Sequence, residues 1–312
     1  MFASGTFDVG SWTLRVGRSH CPTILLYGII FVKIPAGSLE EGNMRLSRTG
    51  ACLTVIGVYL VVRLVSPLIP ATRAHGLEVF LALAAMMLVQ LALALTVAGL
   101  NFRMRSTALL AVVSAILFIG MVVFARGLRH AAPQIVGSVG AVQDLLLLLA
   151  AVLMGCMAGR AIRERNIVLP IAVFAGLVDY WNVSVGPLGK IVENKPAIIS
   201  AVAIHMPAPG IPTVMIGMGD FVFMALFFSA VFKLGMNVRG TFWLGYALLT
   251  ATMYAVILFG GALPALLPMG IAVIGANRRY FHLKRDEQLA MLYVGVILLT
   301  FLIVSRFFGF RR

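Results

Sequence analysis

Residues 77–100 read LEVFLALAAMMLVQLALALTVAGL, an apolar run with one acid near its start. As an α-helix it would extend about 36 Å, enough to cross ~30 Å of hydrocarbon. The rest of the chain repeats the pattern. Its 312 residues are 61% hydrophobic and 12% charged, with a mean hydropathy of +1.02, against about 45–50% apolar and 25% charged in soluble proteins. An integral membrane protein is expected. Three cysteines are too few for a disulfide scaffold or a zinc site of paired thiolates. The formal charge of +14 comes largely from basic residues that punctuate apolar runs, which points to topology and anionic lipid, not nucleic acid.

Working outward from 77–100, further runs of spanning length lie at about 50–69, 106–125, 134–159, 167–183, 213–234, 241–261 and 289–309. A ninth, shorter run begins at Pro264 and ends at Asn277-Arg278-Arg279, about 20 Å of helix whose first residues would lie inside the bilayer. The expectation is an all-α, polytopic transmembrane helix bundle of about nine spans. Residues 1–43 form an uncertain amino-terminal extension, because the apolar stretch 21–34 is too short to span; Met44 with Arg45 and Arg48 would make an alternative start. Residues 44–312 read as a single membrane domain.

The connections on one side carry Arg103, Arg105, Arg160, Arg163, Arg165, Lys233, Arg239, Arg278, Arg279, Lys284 and Arg285. The other side carries Arg73, Arg126, Arg129, Lys190 and Lys195. The positive-inside bias puts the first group in the cytoplasm and the connection 184–212 outside. Arg63, near the outer end of the first span, is expected to snorkel to the interface.

Asp179 and Asp220 lie within spans, where a charge costs at least about 2.5–3.5 kcal/mol at the helix centre. Asp179 is near the end of the fifth span and Asp220 near the start of the sixth, so antiparallel helices would hold them at matching depth. The seventh span returns Pro264 to the same face. Two adjacent carboxyls share a proton: one serves as base toward water while its neutral partner donates to a carbonyl. The alternatives are that each acid caps a broken helix, pairs with a basic residue or relays protons in a transporter.

Around these acids the chain reads Gly217-Met218-Gly219-Asp220-Phe221, a GxGD motif, and Pro264-Ala265-Leu266, a PAL tripeptide. With Val178-Asp179-Tyr180, Gly186-Pro187-Leu188 and Ile191-Val192-Glu193, this resembles the presenilin and signal peptide peptidase family over about residues 167–277. The resemblance implies a presenilin-like catalytic core and an intramembrane aspartyl endopeptidase that needs no cofactor or metal. Asp179 and Asp220 would be its catalytic pair; Gly217, Gly219, Pro264, Ala265 and Leu266 would bind substrate. The partners would be transmembrane or signal-peptide substrates and the lipid bilayer, in a prokaryotic cell membrane. The sequence departs from the family in placing Val178 where a tyrosine is usual, in four spans before Asp179 where the family has five, and in a span after the PAL helix. Physically, the two glycines would strip one helical face for a close approach, as Gly155 and Gly159 do for ordinary packing. Pro264 would break the helix start.

In the connection 184–212, Ala197 to Met206 is apolar and rich in β-branched residues, and Pro207, Pro209 and Pro212 follow. An extended path is expected, able to pair with an unwound substrate or to lie on the bilayer as an apolar hairpin. His205 reads as a surface residue, and Asp144 as a helix cap after Gln143. No His-Glu-x-x-His occurs, Ser138 lacks a rhomboid context, and Val222 stands where prepilin peptidases have lysine. The other-class reading is a proton-coupled transporter using the same two aspartates, for which inverted repeats would speak.

Overall fold

A computed structural model describes residues 41–65, 76–101, 106–128, 133–184, 203–206, 214–259 and 264–308. The chain divides into two units, 1–37 and 38–312, and all described residues belong to the second. The expected 1–43 extension therefore lies almost wholly outside them, as do Gly186-Pro187-Leu188, Ile191-Val192-Glu193 and most of the 184–212 connection.

The described chain is mostly helical: α1 (Glu41–Val65), α2 (Gly76–Asn101), α3 (Thr107–Leu128), α4 (Pro133–Gly159), α5 (Arg165–Ser184), α6 (Met218–Lys233), α7 (Val238–Phe259), α8 (Leu266–Asn277) and α9 (Arg285–Phe308). Four stretches, Glu78–Asn101, Gly140–Gly159, Arg165–Val183 and Val238–Phe259, are long and apolar enough to cross a membrane. One correction concerns what precedes α6. The run expected as helix from 213 begins as a strand, β2 (Val214–Gly217), and it pairs antiparallel with β1 (Ala203–Met206), Ala203 opposite Gly217 and His205 opposite Met215. The expected helical architecture holds among the described residues, with one small hairpin set before α6. Helix α6 starts only at Met218, because Gly217 is extended at its N-cap, φ −64° and ψ 141°.

Helices α2, α4 and α6 form the centre. Leu91, Ala92, Leu93 and Ala94 of α2 are fully buried, as are Phe221, Phe227 and Phe228 of α6. Close contact between α4 and α6 rests on Gly155 and Gly159: a methyl group on Gly159 would come within 2.8 Å of the Leu226 carbonyl, and one on Gly155 would overlap the Val222 carbonyl. These glycines serve packing, as their spacing led us to expect. Helices α1 and α3 pack against the centre, while α5 packs mainly on α8 and α9.

One end of the bundle is tied by cations on helix-terminal carbonyls. Arg160 Nη2 donates to Asn101 O at 2.7 Å, Lys233 Nζ to Arg160 O at 2.6 Å and Ile162 O at 2.8 Å, and Arg165 Nε to Leu234 O at 3.0 Å. Each cation meets carbonyls left unpaired where a helix ends, where its charge also opposes the helix dipole.

Candidate active site

The bond from Arg165 to Leu234 joins the start of α5 to the end of α6. From that junction Asp179 lies fourteen residues along α5 and Asp220 fourteen residues back along α6, each about 21 Å of helix. Both acids therefore stand at similar height above the tied end. The Asp179 charge reaches Asp220 electrostatically, although the two carboxyls make no direct hydrogen bond.

Helix α8 packs mainly on α5 and α7 and also touches α6, so it contacts both acid-bearing helices. Ala172, Gly176 and Asp179 recur at i, i+4 and i+7 and so share one face of α5. Against that face, Gly270 of α8 approaches so closely that a methyl group on it would lie 2.9 Å from Ala172 O. One on Gly176 would sit 3.3 Å from Leu267 Cα. With both side chains absent the helices close up, and the Leu266 amide reaches Asp179 Oδ2 at 2.9 Å. Leu266 is the first residue of α8, and no side chain of Ala265, at the N-cap, satisfies its end. Asp179 therefore caps α8 from another helix. Its second oxygen, Oδ1, has no hydrogen-bond partner among the described residues.

Asp220 lies in the first turn of α6, with the Gly217 backbone amide facing its carboxyl. Both acids thus sit at helix N-termini, whose partial positive charge offsets part of the cost of burying a carboxylate. Gly217 and Gly219 do not share a helical face as expected, since Gly217 belongs to β2. Neither packs against a neighbouring helix: a methyl group on Gly219 would meet nothing within 4 Å, and one on Gly217 only the Asp220 carboxyl, at 3.5 Å. Both glycines are exposed beside the acid. Of the PAL residues, Pro264 and Leu266 are buried and Ala265 is half-buried.

Sequence reasoning passed over Gly176 and Gly270; the signal available was Gly176 three residues before Asp179, on the same face. It also misjudged three polar residues. Asp144 is no cap but lies mid-helix in α4, 2% exposed. Arg63 does not snorkel: its Nη2 donates to Asp144 Oδ2 at 2.7 Å and its Nε at 3.2 Å. His205 is not a bare surface residue, since Nδ1 lies 3.2 Å from Asp144 Oδ1. Among the described residues no three His, Cys, Asp or Glu side chains gather as a metal site.

Compared with family models, characterised proteins and solved structures, the chain has no significant match.

Proposed function

We propose that the chain is a multi-pass intramembrane aspartyl endopeptidase, with about nine spans and a presenilin-like core, that hydrolyses peptide bonds within transmembrane segments or signal peptides. The observation that carries this reading is the meeting of three distant segments: the PAL leucine amide on Asp179, and Asp179 within electrostatic reach of Asp220. The bland alternative, Asp179 as a helix cap alone, does not account for a second half-buried acid at the same height. Nor does it account for two exposed glycines that leave the flank of that acid open.

In the proposed chemistry the pair holds one proton. The ionised aspartate takes a proton from water as the water oxygen attacks the scissile carbonyl carbon, and the neutral aspartate gives its proton to the carbonyl oxygen. The resulting gem-diol collapses when a carboxylate removes one hydroxyl proton and the amide nitrogen is protonated, breaking the C–N bond. Asp179, held at Oδ2 by Leu266, keeps Oδ1 for this exchange. A transmembrane substrate must first unwind, and β2 offers a strand edge that ends three residues before Asp220 for pairing with the extended segment.

The test is cleavage of a single-span peptide by the purified protein in proteoliposomes. Cleavage should be lost in Asp179→Asn and in Asp220→Asn separately. Retained cutting in either variant removes that residue from the mechanism. Proton flux without peptide cleavage, abolished by the same substitutions, would instead establish the transporter reading.

A further inference from the structure

Arg63, Asp144 and His205 come from α1, α4 and β1, and the proposed chemistry uses none of them. Asp144 is nearly inaccessible, with 3% of its side chain exposed, and Arg63 has 11%. Arg63 takes Oδ2 through two N–H groups, leaving Oδ1 for His205. A carboxylate only accepts, so the His205 Nδ1 is the donor in that contact. Tyr59, one turn before Arg63 on α1 and fully buried, lies within electrostatic range of both Arg63 and Asp144. Among the described residues Asp144 is the ionisable group in contact with the imidazole, with Arg63 and Tyr59 coupled to Asp144 in turn, and across the hairpin the neighbour of His205 is Met215.

A buried ion pair stabilises a fold no better than well-packed apolar side chains of similar volume, so stability alone does not explain three ionisable groups here. Such a cluster fixes geometry, because each bond has a direction that apolar contact lacks. The position of His205 shows what is fixed. It belongs to β1, which packs on α4 and pairs with β2 through the register Ala203 to Gly217. Strand β2 then runs without a break into the first turn of α6, which carries Asp220.

We propose that Arg63, Asp144 and His205 are positioning residues, a latch that holds the β1–β2 hairpin on α4 and thereby sets the placement of Asp220. The inference rests on the protease reading for its catalytic consequence, but the latch itself is measurable without any activity. Asn places an amide donor where the imidazole Nδ1 stands, so His205→Asn keeps the bond to Asp144, whereas His205→Phe keeps the bulk and loses the bond.

The experiment measures amide exchange and peptide cleavage on the full chain in proteoliposomes, for the wild type, His205→Asn, His205→Phe and Asp144→Asn. Losing a hydrogen bond to a buried charge should lower the protection of residues 203–206 and 214–217 by about tenfold or more in His205→Phe and Asp144→Asn, leaving α2 and α6 protected. In His205→Asn protection should stay within about threefold of the wild type. Cleavage should follow the same order, kcat falling about tenfold because Asp220 is misplaced, and KM rising by less as the β2 edge loosens. Wild-type protection in His205→Phe, equal loss in His205→Asn and His205→Phe, or a change confined to KM would overturn the latch. Should Asp144→Asn fail to fold, the His205 pair decides alone. If Asp220→Asn still cuts, Asp220 leaves the mechanism and the latch loses its catalytic consequence, while the exchange data continue to decide the latch itself.

Discussion

At Gly219 a methyl group would meet nothing, and at Gly176 it would press on the backbone of α8. The two glycines therefore make opposite predictions. Gly219→Ala should leave stability within about 0.5 kcal/mol, as surface substitutions usually do, yet lower kcat/KM if a substrate backbone must pass that face. Gly176→Ala should destabilise by about 1–3 kcal/mol, as overpacking does, and lower activity by moving Leu266 off Asp179. Unfolding in mixed micelles beside kcat/KM separates the two; full activity in Gly219→Ala would take that glycine off the substrate path. The acids themselves carry a pH prediction. A pair that works with one shared proton stops working when that proton leaves, so kcat/KM should decline toward alkaline pH. A profile flat into strongly alkaline solution would contradict it. The acids were legible in the sequence because a carboxyl inside an apolar run has few reasons to be there. Gly176 was hard to read, because in a chain so rich in small residues its place three residues before Asp179 says little until its neighbour across the helix pair is known.

Helix ends rather than helices decide the chemistry at the next scale. The helices follow from the apolar runs, and α2 and α4 coincide with their runs nearly residue for residue. The start of α6 was hidden for a physical reason: Val214, Met215 and Ile216 are apolar enough to extend a span and equally suited to a strand. Only their pairing with Ala203–Met206 decides it. At α8 the missing side-chain cap is supplied by Asp179, which separates two substitutions that both remove the charge. Asp179→Asn keeps a carbonyl oxygen that can accept from Leu266, whereas Asp179→Ala leaves that amide unpaired. Asp179→Ala should therefore be about 1 kcal/mol less stable than Asp179→Asn, the usual worth of a helix cap, with both equally inactive. Equal stabilities by reversible unfolding would show that the Leu266 bond contributes nothing to holding α8.

The whole molecule joins a rigid centre to a helix that reaches it indirectly. Helix α6, with Asp220, packs on α2 and closes tightly onto α4 through Gly155 and Gly159, while α5, with Asp179, packs mainly on α8 and α9. No sequence pattern discloses this arrangement, just as none shows Arg63 and His205 meeting Asp144 from 81 and 61 residues away. The separation of the two carboxyls must then depend on how closely α8 seats on α5, even where α8 touches neither acid. Gly270 lies one turn beyond Leu266, against Ala172 O. Gly270→Ala should push the helices apart by a fraction of an ångström or more and lower kcat by about tenfold or beyond, since small displacements of reacting groups are costly. A distance readout makes the cause visible. In a background with Cys21, Cys52 and Cys156 replaced by alanine, Asp179→Cys with Asp220→Cys should cross-link through a short dithiol-reactive bridge. Adding Gly270→Ala should slow that cross-linking, whereas a Gly219→Ala control should leave its rate unchanged. Unaltered cross-linking together with lost cleavage would mean that α8 acts on substrate binding and not on the spacing of the acids.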